Sequence, residues 1–164
     1  MISSILQKAI NRQINRELTS AYNYMAMSAW FATTPYSGFV EWMQLQSREE
    51  MSHAMKFHDY LNDRNGKVIF ELLKKPKGNF KGPLDVFEKA LAQEQDISQN
   101  IRELYFLAEE KKDPETKSFL NWFLDEQIEE EKSVGEIVDK LRLIGDNVNA
   151  LLNLDARIVE KRDA

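Results

Sequence analysis

Four prolines and six glycines are the strongest helix breakers in these 164 residues, and their positions leave four long stretches free of internal proline, only one of which holds an internal glycine, Gly135. Pro35, Pro83 and Pro114 stand where helices should end, and Pro76 lies inside a connection. This punctuation predicts helix A over about 5–33, B over about 38–64, C over about 84–112 and D over about 115–144, with a short fifth helix over about 147–160. Short links, Thr34 to Ser37 and Asp113 to Pro114, make A antiparallel to B and C antiparallel to D. The B-to-C connection, residues 65–83, differs: its 19 residues extend to about 60 Å, whereas a helix of 28 residues is about 42 Å long. It can therefore return along the whole bundle, with Val68, Ile69, Phe70 and Phe80 as apolar anchors on the outside of the helices. The expected fold is all-α: one domain over 1–164, a four-helix bundle of two antiparallel hairpins joined by one long crossover, with a short C-terminal fifth helix.

Stepping alternately by three and four residues gives each helix one inward stripe. Helix A presents Leu6, Ile10, Gln13, Glu17, Ala21, Tyr24 and Ser28, flanked by Ile14, Leu18 and Met25; helix B presents Phe39, Met43, Gln46, Glu50, His53, Phe57 and Tyr60. Helix C presents Leu84, Phe87, Leu91, Glu94, Ile101, Tyr105 and Ala108; helix D presents Leu120, Phe123, Gln127, Glu130, Val134, Ile137 and Leu141. Each stripe is polar near its middle. Glu17 and Glu50 are 33 positions apart, and so are Glu94 and Gln127; three residues further on stand His53 and Glu130. The two hairpins thus repeat one pattern, an acidic residue followed by an i, i+3 polar pair, and point it into one layer.

Ionised carboxylates buried together repel one another and cost several kcal/mol each unless a positive charge sits among them. The stripes contain no Lys or Arg. A metal pair is the natural counter-charge, and carboxylates with one imidazole suit Fe(II), Mn(II) or Zn(II) better than Cu(I). Carboxylates on facing helices with an E-x-x-H pair are how bundles build two-metal sites. His53 is a candidate ligand because Glu50 precedes it by three; His58 has no such company and reads as surface.

Composition removes other classes. There is no Cys, hence no disulfide framework and no thiolate site. A net charge of -5 argues against nucleic acid as a partner and favours cations. The N-terminal Met1-Ile2-Ser3-Ser4-Ile5-Leu6-Gln7-Lys8 lacks a signal-peptide pattern and no apolar run reaches membrane length, so the expected location is the cytoplasm, with no membrane partner.

Three segments carry a resemblance to the ferritin family over essentially the whole chain: Asn11-Arg12-Gln13-Ile14-Asn15-Arg16-Glu17-Leu18, Arg48-Glu49-Glu50-Met51-Ser52-His53-Ala54, and Phe119-Leu120-Asn121-Trp122-Phe123 leading into Glu126-Gln127-Ile128-Glu129-Glu130-Glu131. The chain is most similar to the prokaryotic non-haem ferritins, because Gln127 replaces the second E-x-x-H glutamate and Glu130 the histidine that bacterioferritins carry. The resemblance implies oxidation of Fe(II) by dioxygen at a two-iron centre, followed by storage of ferric oxyhydroxide inside a hollow shell of 24 subunits. It assigns Glu17, Glu50 and His53 to one iron, and Glu94 with Glu130 to the second, with Glu50 bridging and Gln127 a nearby polar group.

It further implies a third iron site at Glu49, Glu126 and Glu129, sharing Glu130; spacing alone also puts Glu126, Glu129 and Glu130 on one helix face next to Glu49. Tyr24 would hydrogen-bond at the centre and give up an electron; Trp122 is a lesser redox candidate. No haem is expected, and Met51, where bacterioferritins place a haem ligand, reads as a core or interface methionine. With Gln127 where a stronger ligand might stand, the second iron is expected to be held more weakly and to lead toward storage. The tail from Asp146 to Lys161 carries Val148, Leu151, Leu152, Leu154, Ile158 and Val159, too apolar for a free end, and is expected to pack at a symmetry axis of the shell. Three rivals are a di-iron oxidase of small molecules, which needs an open substrate cavity; a DNA-coating miniferritin, against which the within-chain repeat speaks; and a metal-free interaction module, which would bind no Fe(II).

Overall fold

Helix starts follow local chemistry. In the computed structural model, which describes residues 1–160, the chain forms α1 (Ser4–Phe31), α2 (Ser37–Asp63), α3 (Pro83–Glu110), α4 (Pro114–Ile144) and α5 (Val148–Arg157). Ser3 caps α1 by accepting the Leu6 amide at 3.2 Å. Pro83 and Pro114 open α3 and α4, where a missing N–H leaves no bond unmade. Asp113 caps α4 through the Thr116 amide at 2.9 Å and also takes a two-pronged hydrogen bond from Arg64, 2.9 Å on each prong, which ties the end of α2 to the α3–α4 turn. No side chain of its own caps α2. Asp155 of α5 does so from a distance, accepting the Phe39 amide at 2.7 Å.

The hairpins α1–α2 and α3–α4 pack side by side, joined mainly through α1 and α3. Their core is divided in two. One cluster gathers Tyr24, Phe31, Phe39, Trp42, Phe87 and Leu141 with their neighbours; the other gathers Leu6, Ile10, Ile14, Phe57, Leu61, Ile101 and Leu120 with theirs. Between them lies the layer of buried polar residues. The stripe read for α4 is buried in full. Met25, expected to flank the α1 stripe, is 58% exposed, one position round the helix from fully buried Tyr24. Tyr60, Leu84, Leu91 and Tyr105 are only partly buried, at the edges of the two clusters.

The crossover runs back along α1, fastened by polar groups as well as by two of the four expected apolar anchors. Asn11 donates to the Lys67 carbonyl at 2.8 Å and accepts the Ile69 amide at 2.7 Å; one turn later Asn15 donates to the Ile69 carbonyl at 3.0 Å and accepts the Glu71 amide at 2.8 Å. Gln7 accepts the Lys67 amide at 2.9 Å. The i, i+4 amides thus serve an extended strand as a sheet edge would, pairing its backbone. Val68 and Phe80 do pack on the core, whereas Ile69 and Phe70 are 50% and 65% exposed because the pairing turns them outward.

Helix α5 packs on α2 and α4; Leu151 and Leu154, with Ile158 and Val159 just beyond its end, join the first core cluster, and Val148 and Leu152 stay exposed. The part of the expected tail at Lys161, like the last residues of the expected domain, lies outside the described residues. Among the described residues no helix is long and apolar enough to cross a membrane.

Candidate metal centre

Glu17 of α1, Glu50 and His53 of α2, Glu94 of α3, and Gln127 and Glu130 of α4 all lie in the polar layer, each buried. Helical register brings them there: Glu50 and His53 are one turn apart on one face, as are Gln127 and Glu130. His53 Nδ1 lies 3.6 Å from Glu50 Oε2. Its ring stands edge-on to Trp122 at 5.5 Å and to Phe123 at 5.9 Å.

Polar groups in the layer are unequally satisfied. Gln13 Nε2 donates to Glu17 Oε1 at 2.7 Å, and Gln46 Nε2 donates to Glu130 Oε2 at 2.9 Å. The Tyr24 hydroxyl donates to Glu94 Oε1, and Gln127 Nε2 reaches Glu94 Oε2, the Glu94 carbonyl and Ser98 Oγ, each at 3.3 Å. Glu17 Oε2, both oxygens of Glu50 and His53 Nδ1 are buried without a hydrogen-bond partner. Orphaned buried acceptors of this kind are costly and call for a partner.

Ligand atoms of Glu17, Glu50 and His53 lie within 4.8 Å of one another, the spread a single cation can span. The chemistry of the donor set fits: carboxylate oxygens and one neutral imidazole nitrogen.

Electrostatics lead to the same place. Burial pushes the Glu17 carboxyl up to about 7, against hydrogen bonds that pull it down. Burial, then the charges of Glu94 and Glu17, push Glu50 well above the usual carboxylate range, and burial also raises Glu94. His53 is pushed down to about 4 by burial and by Lys56, so its imidazole is neutral at physiological pH, the form that binds metal. The layer holds more acid groups than it can ionise unaided, and cations would relieve it.

A second group opens beside the first: ligand atoms of Glu49, His53, Glu126 and Glu130 also lie within 4.8 Å of one another. Three of the four residues expected at a third iron site are in it. Glu129 is not; it lines the adjoining cavity of about 130 Å³ with Gln46, Glu49, Glu126, Glu130 and Ser133. His53 takes its place, since its ring sits between the two groups. Glu126 is raised by burial and by the charges of Glu49 and Glu129. Glu94, expected at the second iron, enters neither group, and Tyr24 and Gln127 hold its oxygens.

Tyr24 and Phe123 are both buried, Tyr24 bonded to Glu94 and Phe123 edge-on to His53. Trp122 is 40% exposed rather than buried, with Lys56 over its ring at 4.4 Å. Met51 is exposed on α2 and is no part of this chain's core. His58 is partly exposed and bonds Asp59 at 2.8 Å. Gln13 and Gln46 stood in the stripes without an assigned role; their place one turn before Glu17 and Glu50 was the available signal.

The ferritin-like domain family matches residues 7–144. The bacterial non-heme ferritin of Staphylococcus epidermidis is 44% identical over 151 residues, covering 92% of this chain and 91% of that protein. That of Staphylococcus aureus is 40% identical over the same share of both chains. The solved open pore ferritin from the hyperthermophilic archaeon Archaeoglobus fulgidus aligns with a TM-score of 0.95 and 41% identity, covering 96% of this chain and 98% of that one.

Proposed function

The chain belongs to the ferritin family, and we propose that it detoxifies and stores iron, oxidising Fe(II) with dioxygen in the buried layer and depositing ferric oxyhydroxide in a shell of 24 copies in the cytoplasm. One observation carries the reading: Glu17, Glu50 and His53, which between them hold four unpartnered buried side-chain atoms, bring ligand atoms together in a buried layer that also contains the acids Glu94 and Glu130. Iron is the substrate. Glu17, Glu50 and His53 take the first Fe(II), and Glu50, Glu94 and Glu130 take the second. The charge they lack when empty is then supplied by two divalent ions.

Each Fe(II) gives up one electron, so a pair supplies the two that reduce dioxygen, with two protons, to peroxide. The hydrogen bond from Tyr24 to Glu94 supports a role for Tyr24 as a further electron donor when reduction of dioxygen runs past peroxide toward water. Carboxylates accept Fe(III) as readily as Fe(II) and release it by changing denticity, which suits transit better than a permanent cofactor. Glu49, Glu126 and Glu130, with Glu129 on the adjoining cavity, form the third site, through which iron leaves toward the mineral. Anaerobic loading with Fe(II) followed by oxygen tests the reading. An oxidation burst ending at two irons per chain is expected, and Glu50→Ala abolishes it; a burst unchanged in that variant refutes the proposal. Sedimentation tests the shell, for which a monomer or dodecamer is the contrary result.

A further inference from the structure

The terminal carboxylates of the layer are each gripped by a neutral side chain, and Glu50 is not. Gln13 holds one oxygen of Glu17, Gln46 holds one oxygen of Glu130, and Tyr24 and Gln127 hold Glu94. No amide or hydroxyl reaches either oxygen of Glu50; the neighbouring carboxyls of Glu17 and Glu94 face it. Packing alone does not ask for glutamine at position 13: the residue is 1% exposed and its own Oε1 is buried without a donor, a defect that an apolar side chain of equal length would remove. Its amide donates to Glu17, and its carbonyl is left without a partner. Gln46, equally buried, reaches across from α2 to Glu130 on α4, although Glu50 on its own helix is one turn away.

We propose that Gln13 and Gln46 are positioning residues: by occupying one oxygen each of Glu17 and Glu130 they keep those carboxylates from bridging the first and second ions, and so reserve that bridge for Glu50. This rests on reading the layer as an iron centre. Partners that orient metal ligands are worth 10- to 100-fold in affinity as an order of magnitude. Gln13 acts on the first ion, through Glu17, and Gln46 on the second, through Glu130.

The test uses the assembled metal-free protein and Co(II), which reports its coordination by visible absorption, titrated by calorimetry into wild type, Gln13→Met and Gln46→Met. Met keeps the length and volume and removes the donor. Gln13→Met is expected to weaken the tighter binding step by roughly 10- to 100-fold and to alter the Co(II) bands. Gln46→Met is expected to spare that step and weaken the other. Metal-free melting temperature should not fall in Gln13→Met. Gln13→Asn, which keeps the amide but is one methylene short of Glu17, must behave like Gln13→Met. Unchanged affinities and bands overturn the positioning role alone, as does a uniform loss of both steps with a lower melting temperature. Wild type taking up no Co(II) overturns the iron reading with it.

Discussion

Replacing Glu17 with Gln should make the metal-free protein more stable, by an amount that depends on pH. The folded chain holds a proton on Glu17 up to about pH 7, whereas the ordinary value is 4.5. Between those values the folded state binds more protons than the unfolded one, so stability is fully present below about 4.5 and is lost as pH rises through about 7. A displacement of roughly 2.5 pH units at about 1.36 kcal/mol each comes to about 3 kcal/mol at pH 8. Glu17→Gln carries no charge to bury, keeps the shape, and still accepts from Gln13.

The expected gain is therefore about 3 kcal/mol at pH 8, or roughly 6–12 °C in melting temperature for a chain of this size, shrinking toward zero near pH 5. Scanning calorimetry on chelator-treated protein from pH 5 to 8 measures it. Zn(II) should reverse the order, because wild type gains a ligand set that the variant has lost. A variant no more stable than wild type at pH 8, or one whose advantage is the same at every pH, refutes the claim that an uncompensated buried charge strains the empty centre.

Arg64→Leu leaves Asp113 mostly buried without its two-pronged partner and should cost about 2–4 kcal/mol by urea denaturation at pH 7. Arg64 holds Asp113 down to about 2 from 3.8, so the contribution is present above 3.8 and fades as pH falls toward 2; a penalty just as large at pH 2.5 would contradict this source. Gly38→Ala places a Cβ 1.9 Å from the Asp155 carbonyl oxygen, so α5 must shift and the Asp155 cap on α2 is lost. A loss of about 1–3 kcal/mol and faster amide exchange in α5 are expected, with Gly78→Ala, which meets nothing, as the silent control. Unchanged exchange in α5 would show that α2 does not depend on that cap.

The helices and the polar layer were legible because both follow from periodicity. A Pro at a helix boundary and an acid in mid-stripe keep their meaning wherever the helix packs, and the spacing of Glu17 to Glu50 and of Glu94 to Gln127 sets their height in the bundle by residue count alone. The crossover was half legible. Its length permitted the return path, but Asn11 and Asn15 fasten it through main-chain groups that no hydropathy pattern records.

Within the centre, residue types and heights were settled by sequence: four glutamates, one histidine, no cation. Tertiary structure decided which oxygens are occupied, that His53 rather than Glu129 completes the group beside Glu126, and that Gln13 and Gln46 grip Glu17 and Glu130. It also decided that Asp155, more than a hundred residues away in sequence, caps α2. The physical reason is range. Helical register fixes a side chain's height and facing within one helix, whereas a hydrogen bond depends on a few tenths of an ångström between helices, and only the packing of the two hairpins sets that distance.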